Sequence, residues 1–293
     1  MKYLNTKHHQ INIFNKIKNN QFWLLSIASG LITIHLTLTS REVIGLFAWS
    51  IIFWVATSFL VWKKRHTLNL ESSLYSSIVG FTLITIILLR SLTYPSLIFL
   101  GIAPFVIALA LSLIASGFAG IKQYKQELIL LFFFNVPHIL LLPVFDISAF
   151  TAKFATYILW YLGFEATVQG FSVVLPQGSV LVYTPCAGLD GILDLIRLSV
   201  LFFILFPLEG ITKKVIVTIA SVVIAFVTNS TRVALMAVLT AAQNQSVFDY
   251  WHDGKGSLIF SVISTALLGI FYYFLLLREI AVAKMPTQET IDG

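Results

Sequence analysis

The sequence predicts an all-α fold, a polytopic bundle of transmembrane helices. Two observations carry this prediction. Of the 293 residues, 58% are hydrophobic and 11% are charged, whereas a soluble domain carries about 25% charge. The apolar runs are about 20 residues long, the length that a helix needs to cross a bilayer. This composition excludes an ordinary soluble enzyme and a disordered chain, and the run length argues against an outer-membrane barrel with strands of about ten residues.

The apolar runs predict about eight spans, and the basic residues orient them. The spans lie approximately at residues 21–38, 43–62, 73–90, 96–117, 127–145, 187–207, 214–240 and 256–277. Lys and Arg concentrate in cytoplasmic loops. With the N-terminus inside, 13 of the 19 Lys and Arg residues lie in inside segments and four in outside loops. The sequence therefore predicts that both termini are cytoplasmic.

This topology divides the chain into five segments with different roles. They are a cytoplasmic tail (1–20), an N-terminal transmembrane bundle (21–145), an extracytoplasmic helix and hairpin (146–186), a transmembrane core that carries the site (187–277) and a second cytoplasmic tail (278–293).

The extracytoplasmic segment begins with an apolar stretch, residues 147–164, that contains Lys153 and several aromatic residues. Aromatic-rich helices often lie in the membrane interface. Counting this stretch as a ninth span would place Lys213 and Lys214 outside, so an interfacial helix is favoured and the ninth span is the alternative.

A short β-hairpin is predicted between the interfacial helix and the sixth span. Residues 167–175 and 179–184 are rich in Val, Thr and aromatic residues, and the Pro-Gln-Gly sequence at 176–178 is typical of a turn. The hairpin leads directly to Cys186, the only cysteine in the sequence.

Cys186 is the first candidate site residue. Thr184 is a favourable helix N-cap and Pro185 a favourable first helical residue, so Cys186 is expected in the first turn of the sixth span. Backbone N–H groups and the helix dipole stabilise a thiolate there. The alternative is a small buried thiol that packs as a hydrophobe. One cysteine excludes an internal disulfide or a zinc knuckle, and we expect no cofactor and no metal.

Arg232 is the second candidate. It lies near the outer end of the seventh span, on the same helix face as Asn229. A charged residue in a span is costly and by default faces the interior of the bundle. Snorkelling to the outer headgroups is the alternative, but the polar run Thr228–Thr231 beside Arg232 argues against it.

His252 is the third candidate, in the outside loop before the last span and next to Asp253. The predicted topology places Cys186, Arg232 and His252 at one membrane face, although they belong to three separate elements. Cys can attack a carbonyl as a thiolate, His can transfer a proton near neutral pH, and Arg can hold an oxyanion. Together they predict acyl transfer through a thioester.

A second polar stripe runs down the sixth span below Cys186. Asp190, Asp194 and Arg197 follow at helical spacing. An unpaired charge at the depth of Arg197 is costly, so an Asp194–Arg197 ion pair with a structural role is expected. Asp190 is expected to support the site by orienting Arg232 or His252.

Three segments, TPCAGLDG, NSTRVALMAVL and YWHDGKGSLIF, resemble the three-part signature of the exosortase/archaeosortase family of membrane cysteine enzymes. The resemblance covers approximately residues 95–277 and is strongest over 165–277. It implies that Cys186 is the nucleophile and that Arg232 and His252 are the other two catalytic residues. The remaining motif positions, Gly188, Asn229 and Asp253, are expected to support them.

The resemblance also implies a substrate and a location. The family cleaves the C-terminal sorting tail of exported proteins, which consists of a PEP-CTERM-like motif, a transmembrane helix and a basic cluster, and hands the new C-terminus to an envelope acceptor. The expected place is the outer face of the bacterial plasma (inner) membrane, with the bilayer as a further partner and no nucleic acid. The Cys-Ala-Gly form of the first motif is similar to that of the cyanobacterial subgroup.

The alternative class of function is a transporter or channel, with the intramembrane charges lining a polar pathway. The sequence shows no internal repeat and no paired broken helices, and its polar residues cluster at one face. These features favour the enzyme.

Overall fold

The computed structural model describes residues 20–42, 44–93, 95–252 and 254–284. Most of the two predicted cytoplasmic tails and Asp253 lie outside these ranges. Contacts divide the chain into two compact units, which meet in sequence between Ile139 and Leu140. The helices of the first unit are α1 (Asn20–Glu42), α2 (Ile44–Lys64), α3 (Leu74–Leu92), α4 (Leu97–Gly120) and α5 (Lys125–Leu141).

The first unit has an apolar exterior, as a helical bundle in lipid requires. Leu25, Val55 and Phe59 are more than half exposed. Several polar groups of its interior are paired with each other. Trp54 Nε1 donates to Nδ1 of His35, 3.1 Å away, and Lys64 donates to the carboxylate of Glu127 at 2.7 Å. Hydrocarbon offers no other partner to these groups, so pairing within the protein stabilises them.

The prediction of a helical membrane protein is confirmed, but the predicted number of spans is wrong. Six stretches of the described residues are long and apolar enough to cross a membrane. They are Gln21–Glu42, Gly45–Lys64, Leu74–Leu92, Leu97–Leu141, Ile211–Ala241 and Ser257–Glu279. The predicted fourth and fifth spans fall within one helical stretch of 45 residues. The helix of the predicted sixth span has 17 residues, which is at the lower end of the range of about 17–25 residues that can cross a membrane.

The 45-residue stretch folds back on itself. Gly117 adopts a φ of 66°, which interrupts helical geometry and is accessible to glycine without strain. The helices before and after this point lie side by side. The rings of Phe105 and Phe132 are 5.6 Å apart, and Asn135 packs against Gly101. The stretch is therefore a helical hairpin, α4 and α5.

The second unit carries a small sheet and the remaining helices. In chain order they are α6 (Ser148–Tyr161), β1 (Thr167–Gln169), β2 (Ser172–Leu175), β3 (Gly178–Leu181), a 3₁₀ turn (Thr184–Cys186), α7 (Leu189–Leu205), α8 (Ile211–Ala241), α9 (Gln245–His252) and α10 (Ser257–Lys284). The helix predicted at 147–164 is α6. Its 14 residues extend about 21 Å, too short for the alternative of a ninth span.

The structure corrects the predicted hairpin to a three-stranded antiparallel sheet of order β1-β2-β3. The segment predicted as one strand, 167–175, breaks at Gly170, whose φ of 61° turns the chain back after Gln169. Val173 of β2 and Val182, directly after β3, are fully buried in a core that also includes Ala155 of α6 and Ala237 of α8. The sheet and α6 therefore form a cap that is fixed to the C-terminal half of α8.

Polar contacts join the helices of this unit and order the start of α6. Near the start of α8, Lys213 pairs with Glu279 of α10 at 2.6 Å, and the Ser199 and Ser221 hydroxyls join α7 to α8 at 2.7 Å. At the start of α6, the side chain and backbone N–H of Ser148 donate to Asp146, which holds the pKa of this exposed carboxyl below its usual range. The first two contacts thus join α7, α8 and α10, whereas the bonds to Asp146 are local to the start of α6.

Candidate functional site

Cys186 is the last residue of a 3₁₀ turn. It does not lie, as was predicted, in the first turn of a long helix. Its N–H donates to the carbonyl of Tyr183 at 2.8 Å. Gly188 then takes a left-handed φ of 95°, and α7 begins only at Leu189. The left-handed residue separates the cysteine from the helix, so the predicted stabilisation of a thiolate by the first turn of that helix does not apply.

Two hydrogen bonds fix the backbone of this turn. The side-chain amide of Asn229 donates to the carbonyl of Cys186 at 2.9 Å, and the hydroxyl of Thr151 donates to the carbonyl of Ala187 at 2.7 Å. Thr151 and Ala187 are both buried. Asn229 was predicted to support the site from its motif. Thr151 was missed, because nothing in the sequence of α6 distinguishes it from other helical threonines.

Gly188 is required both by its backbone and by its neighbour. A Cβ at this position would lie 2.5 Å from Nδ2 and 2.8 Å from Cβ of Asn229, in addition to the strain of the positive φ. The chain therefore approaches Asn229 more closely than any side chain allows, and this approach brings the Cys186 carbonyl to the Asn229 amide.

Gly188→Ala is expected to lower the free energy of unfolding by about 1–3 kcal/mol and to loosen the Cys186 turn. Gly191→Ala is the matched control, because a Cβ at Gly191, three residues further along, meets no atom within 4 Å. The control is expected to stabilise the helix by roughly 0.5–1 kcal/mol. Thermal unfolding of both purified variants in detergent measures the difference, and equal stability would contradict this account of Gly188.

His252 lies against the cysteine. It is the last residue of α9, a short helix that was predicted as a loop, and its ring stacks on Phe248 at 5.1 Å. Its Nε2 is 3.6 Å from Sγ of Cys186, within hydrogen-bonding distance for sulfur. This geometry allows the imidazole to take a proton from the thiol.

Arg232 joins the same cluster through the backbone of His252. Its Nη2 donates to the carbonyl of His252 at 2.7 Å. The Nε atom of Arg232 is buried and finds no hydrogen-bond partner among the described residues. A buried N–H without a partner is costly, and a substrate oxygen would satisfy it.

The cluster lines one end of a cavity of about 310 Å³. Cys186, Arg232 and His252 all border it, with Val233 and Met236 of α8 and Phe248 of α9. The cysteine is half-buried, so the sulfur is both enclosed and reachable. A thiol, an imidazole and a guanidinium thus border one cavity that a ligand can enter.

The lower polar stripe is separate from this cluster. Asp194 and Arg197 form an ion pair on α7, and the guanidinium is buried. Asp190 is exposed at the start of α7 and interacts electrostatically with Arg197. Its expected role towards Arg232 or His252 stays a prediction. Asp253 lies outside the described residues. Within the described ranges, no three His, Cys, Asp or Glu side chains are grouped to hold a metal ion.

A comparison with known protein families finds a match. Residues 43–269 match the family described as Transmembrane exosortase (Exosortase_EpsH), and this range includes the whole cluster. Searches of the curated proteins and of the solved structures give no match. The matched range covers most of the 293 residues, and the chain therefore belongs to the transmembrane exosortase family.

Proposed function

We propose that this protein is a membrane cysteine transpeptidase that cleaves exported proteins at a C-terminal sorting tail through a thioester on Cys186. The observation that carries the proposal is the contact of 3.6 Å between Sγ of Cys186 and Nε2 of His252, with Arg232 bound to the backbone of that histidine. Nucleophile and base within hydrogen-bond reach, with the base held by a third group, is the arrangement that covalent acyl transfer requires.

The chemistry proceeds in two steps. His252 takes the thiol proton, and Sγ of Cys186 attacks the carbonyl carbon of the scissile peptide. The buried N–H of Arg232 Nε stabilises the oxyanion that forms. The C–N bond breaks, His252 returns the proton to the leaving amine, and the thioester remains. An acceptor nucleophile then attacks the thioester, gives its proton to His252 and releases the cysteine.

The family and the predicted topology support the proposed substrate class. A tail with a PEP-CTERM-like motif, one transmembrane helix and a basic end would keep its basic end in the cytoplasm. Its motif would then emerge at the periplasmic face of the inner membrane, where the predicted topology puts Cys186. An envelope molecule is the proposed acceptor, and water would take its place if the enzyme only hydrolyses.

Co-expression with a tailed secretory protein tests this proposal. We expect the full-length substrate to be converted to a shorter form, and mass spectrometry of the new C-terminus to find an attached group. A free carboxylate at the new C-terminus would show that the enzyme hydrolyses the thioester and does not transfer it to an acceptor. A substrate that stays full-length with the wild-type enzyme, for every tail of this type encoded in the same genome, would contradict the proposed function.

A further inference from the structure

The cavity beside Cys186 is bordered edge-on by β3. Five consecutive residues of one extended segment, 179–183, all line it. Side chains in a strand alternate between the two faces of the sheet, so a run of neighbours can line one cavity only if the cavity meets the backbone edge. β3 is the last strand of the sheet, so within the described chain this edge has no neighbouring strand.

The hydrogen-bond register shows which backbone groups point into the cavity. Leu175 and Gly178 flank a two-residue turn, and Val182 N–H donates to the carbonyl of Phe171 at 2.9 Å, so Phe171 and Val182 form a hydrogen-bonded pair of the ladder. In an antiparallel ladder such pairs alternate with pairs whose N–H and C=O groups point away from the partner strand. Ser179 and Leu181 occupy those outward positions, and no described residue bonds to either N–H.

The cavity has the dimensions and the lining of a strand-sized groove. Its floor follows α8 from Arg232 to Thr240, which is about 12 Å and matches about four extended residues. Val233 and Met236 form an apolar floor, and Phe248 and His252 of α9 form the wall opposite β3. Cys186 closes one end of the groove.

We infer that this groove binds about four residues of the substrate on the N-terminal side of the scissile bond, as a strand paired with β3. Addition of a strand to an exposed sheet edge supplies affinity through main-chain bonds, and alternate side chains supply selectivity. The side chains that face α8 would be apolar, because Val233 and Met236 form the floor. The inference rests on the proposed function for the identity of the occupant.

The predicted topology sets the direction of this strand. α8 begins near the basic residues Lys213 and Lys214 and would run outwards, so the groove extends from Cys186 away from the membrane. A substrate with its folded part outside and its tail helix in the bilayer would enter the groove from the outer end. It would run towards Cys186 in the same direction as β3, and the added strand is therefore parallel.

Peptide reagents that alkylate the cysteine test the groove without any cleavage. Sγ of Cys186 attacks the methylene carbon of a chloromethyl ketone and displaces chloride. We expect acetyl-Ala-Val-Ala-Ala chloromethyl ketone to label Cys186 at least tenfold faster than acetyl-Ala chloromethyl ketone, with iodoacetamide as the reference. Leu181→Pro removes an outward N–H and is expected to abolish this advantage, whereas Leu181→Ala keeps the N–H and the advantage.

Val168→Pro is the matched control at the other edge of the sheet. Val168 lies opposite Val173, between two hydrogen-bonded pairs, so its N–H also points away from β2 but faces no groove. This variant is expected to keep the tenfold advantage and the wild-type rate with iodoacetamide. If Val168→Pro and Leu181→Pro lost the rate advantage of the tetrapeptide reagent equally, the N–H of Leu181 would have no special role. This result would contradict the inference.

A scan of N-methylated tetrapeptide reagents on the unmodified enzyme covers the case in which Leu181→Pro fails to fold. N-methylation of the residues whose N–H groups face β3, which are every second residue of the peptide, is expected to slow labelling at least tenfold. N-methylation of the other residues is expected to slow labelling less than threefold. A flat scan, or no gain from peptide length, overturns the groove even if tailed substrates are cleaved. A groove that passes these tests in an enzyme that cleaves no tailed substrate would overturn the proposed function instead, and a Cys186 that reacts with no reagent would overturn both.

Discussion

Cys186→Ala is expected to leave a tailed substrate uncleaved, with a rate at least about 10³-fold below that of the wild-type enzyme. The substitution removes the sulfur that lies 3.6 Å from Nε2 of His252, and no other cysteine exists in the sequence to replace it. The cavity and the backbone bonds from Asn229 and Thr151 should persist, because both side chains hold carbonyl groups and not the thiol. Immunoblotting of full-length and processed substrate measures the effect.

Cys186→Ser is the companion variant for this prediction. It keeps a proton that His252 can accept but replaces the thiol by a hydroxyl, which is far less nucleophilic near neutral pH. We expect the serine variant to melt at the wild-type temperature and to process at least about 100-fold more slowly. Processing by Cys186→Ala at more than a tenth of the wild-type rate would contradict the assignment of the nucleophile.

Replacement of Arg232 by Gln is expected to slow processing by about 10²–10³-fold, the usual cost of losing one donor to an oxyanion. Arg232 has two separate duties in this account. Nη2 holds the carbonyl of His252 at 2.7 Å, and the buried Nε is left for the substrate oxygen. Arg232→Lys supplies one ammonium group and cannot serve both positions, so it should also lose at least about tenfold.

Labelling of Cys186 separates the two duties of Arg232. If the arginine only positions His252, the Gln variant would lose iodoacetamide reactivity by the same factor as processing. If Nε also binds the oxyanion, processing should fall at least tenfold further than labelling. Arg90→Gln, which removes an exposed arginine at the end of α3, is the control and should process normally. Processing at the wild-type rate by Arg232→Lys would contradict the two separate roles of Arg232.

Patterns that depend on periodicity or on charge were predictable from the sequence. The apolar runs located every long helix, and the aromatic stretch at 147–164 predicted a separate short helix, which is α6. The shared depth of Cys186, Arg232 and His252 followed from counting basic residues in loops. The structure brings these three side chains together around one cavity, although they come from three elements.

Features that depend on a single backbone angle or on a tertiary partner were not predictable. Gly170 and Gly188 each take a positive φ, and each splits an element that was predicted as continuous. Nothing local to the sequence shows whether a glycine uses that freedom. Thr151 is one of many threonines in apolar helices, and only the folded chain places its hydroxyl on the carbonyl of Ala187.

The number of spans shows a different limit. The sequence gives the length of each apolar run. Whether two neighbouring runs form separate membrane crossings depends on the conformation of the chain between them. In Leu97–Leu141, Gly117 interrupts helical geometry and a short 3₁₀ turn, Ile121–Tyr124, joins the two helices, so hydropathy over this stretch describes a folded-back pair. α7 has only 17 residues because Phe206, after Leu205, leaves helical geometry.

The covalent intermediate on Cys186 is the most direct test of the central claim. Purified wild-type enzyme would be mixed with a tailed substrate, quenched in acid within seconds and digested for mass spectrometry. The account predicts that the peptide containing Cys186 carries the substrate's new C-terminal residues and that neutral hydroxylamine releases them, as it does from a thioester. A substrate that is cleaved while the Cys186 peptide stays unmodified at every quench time would contradict the account.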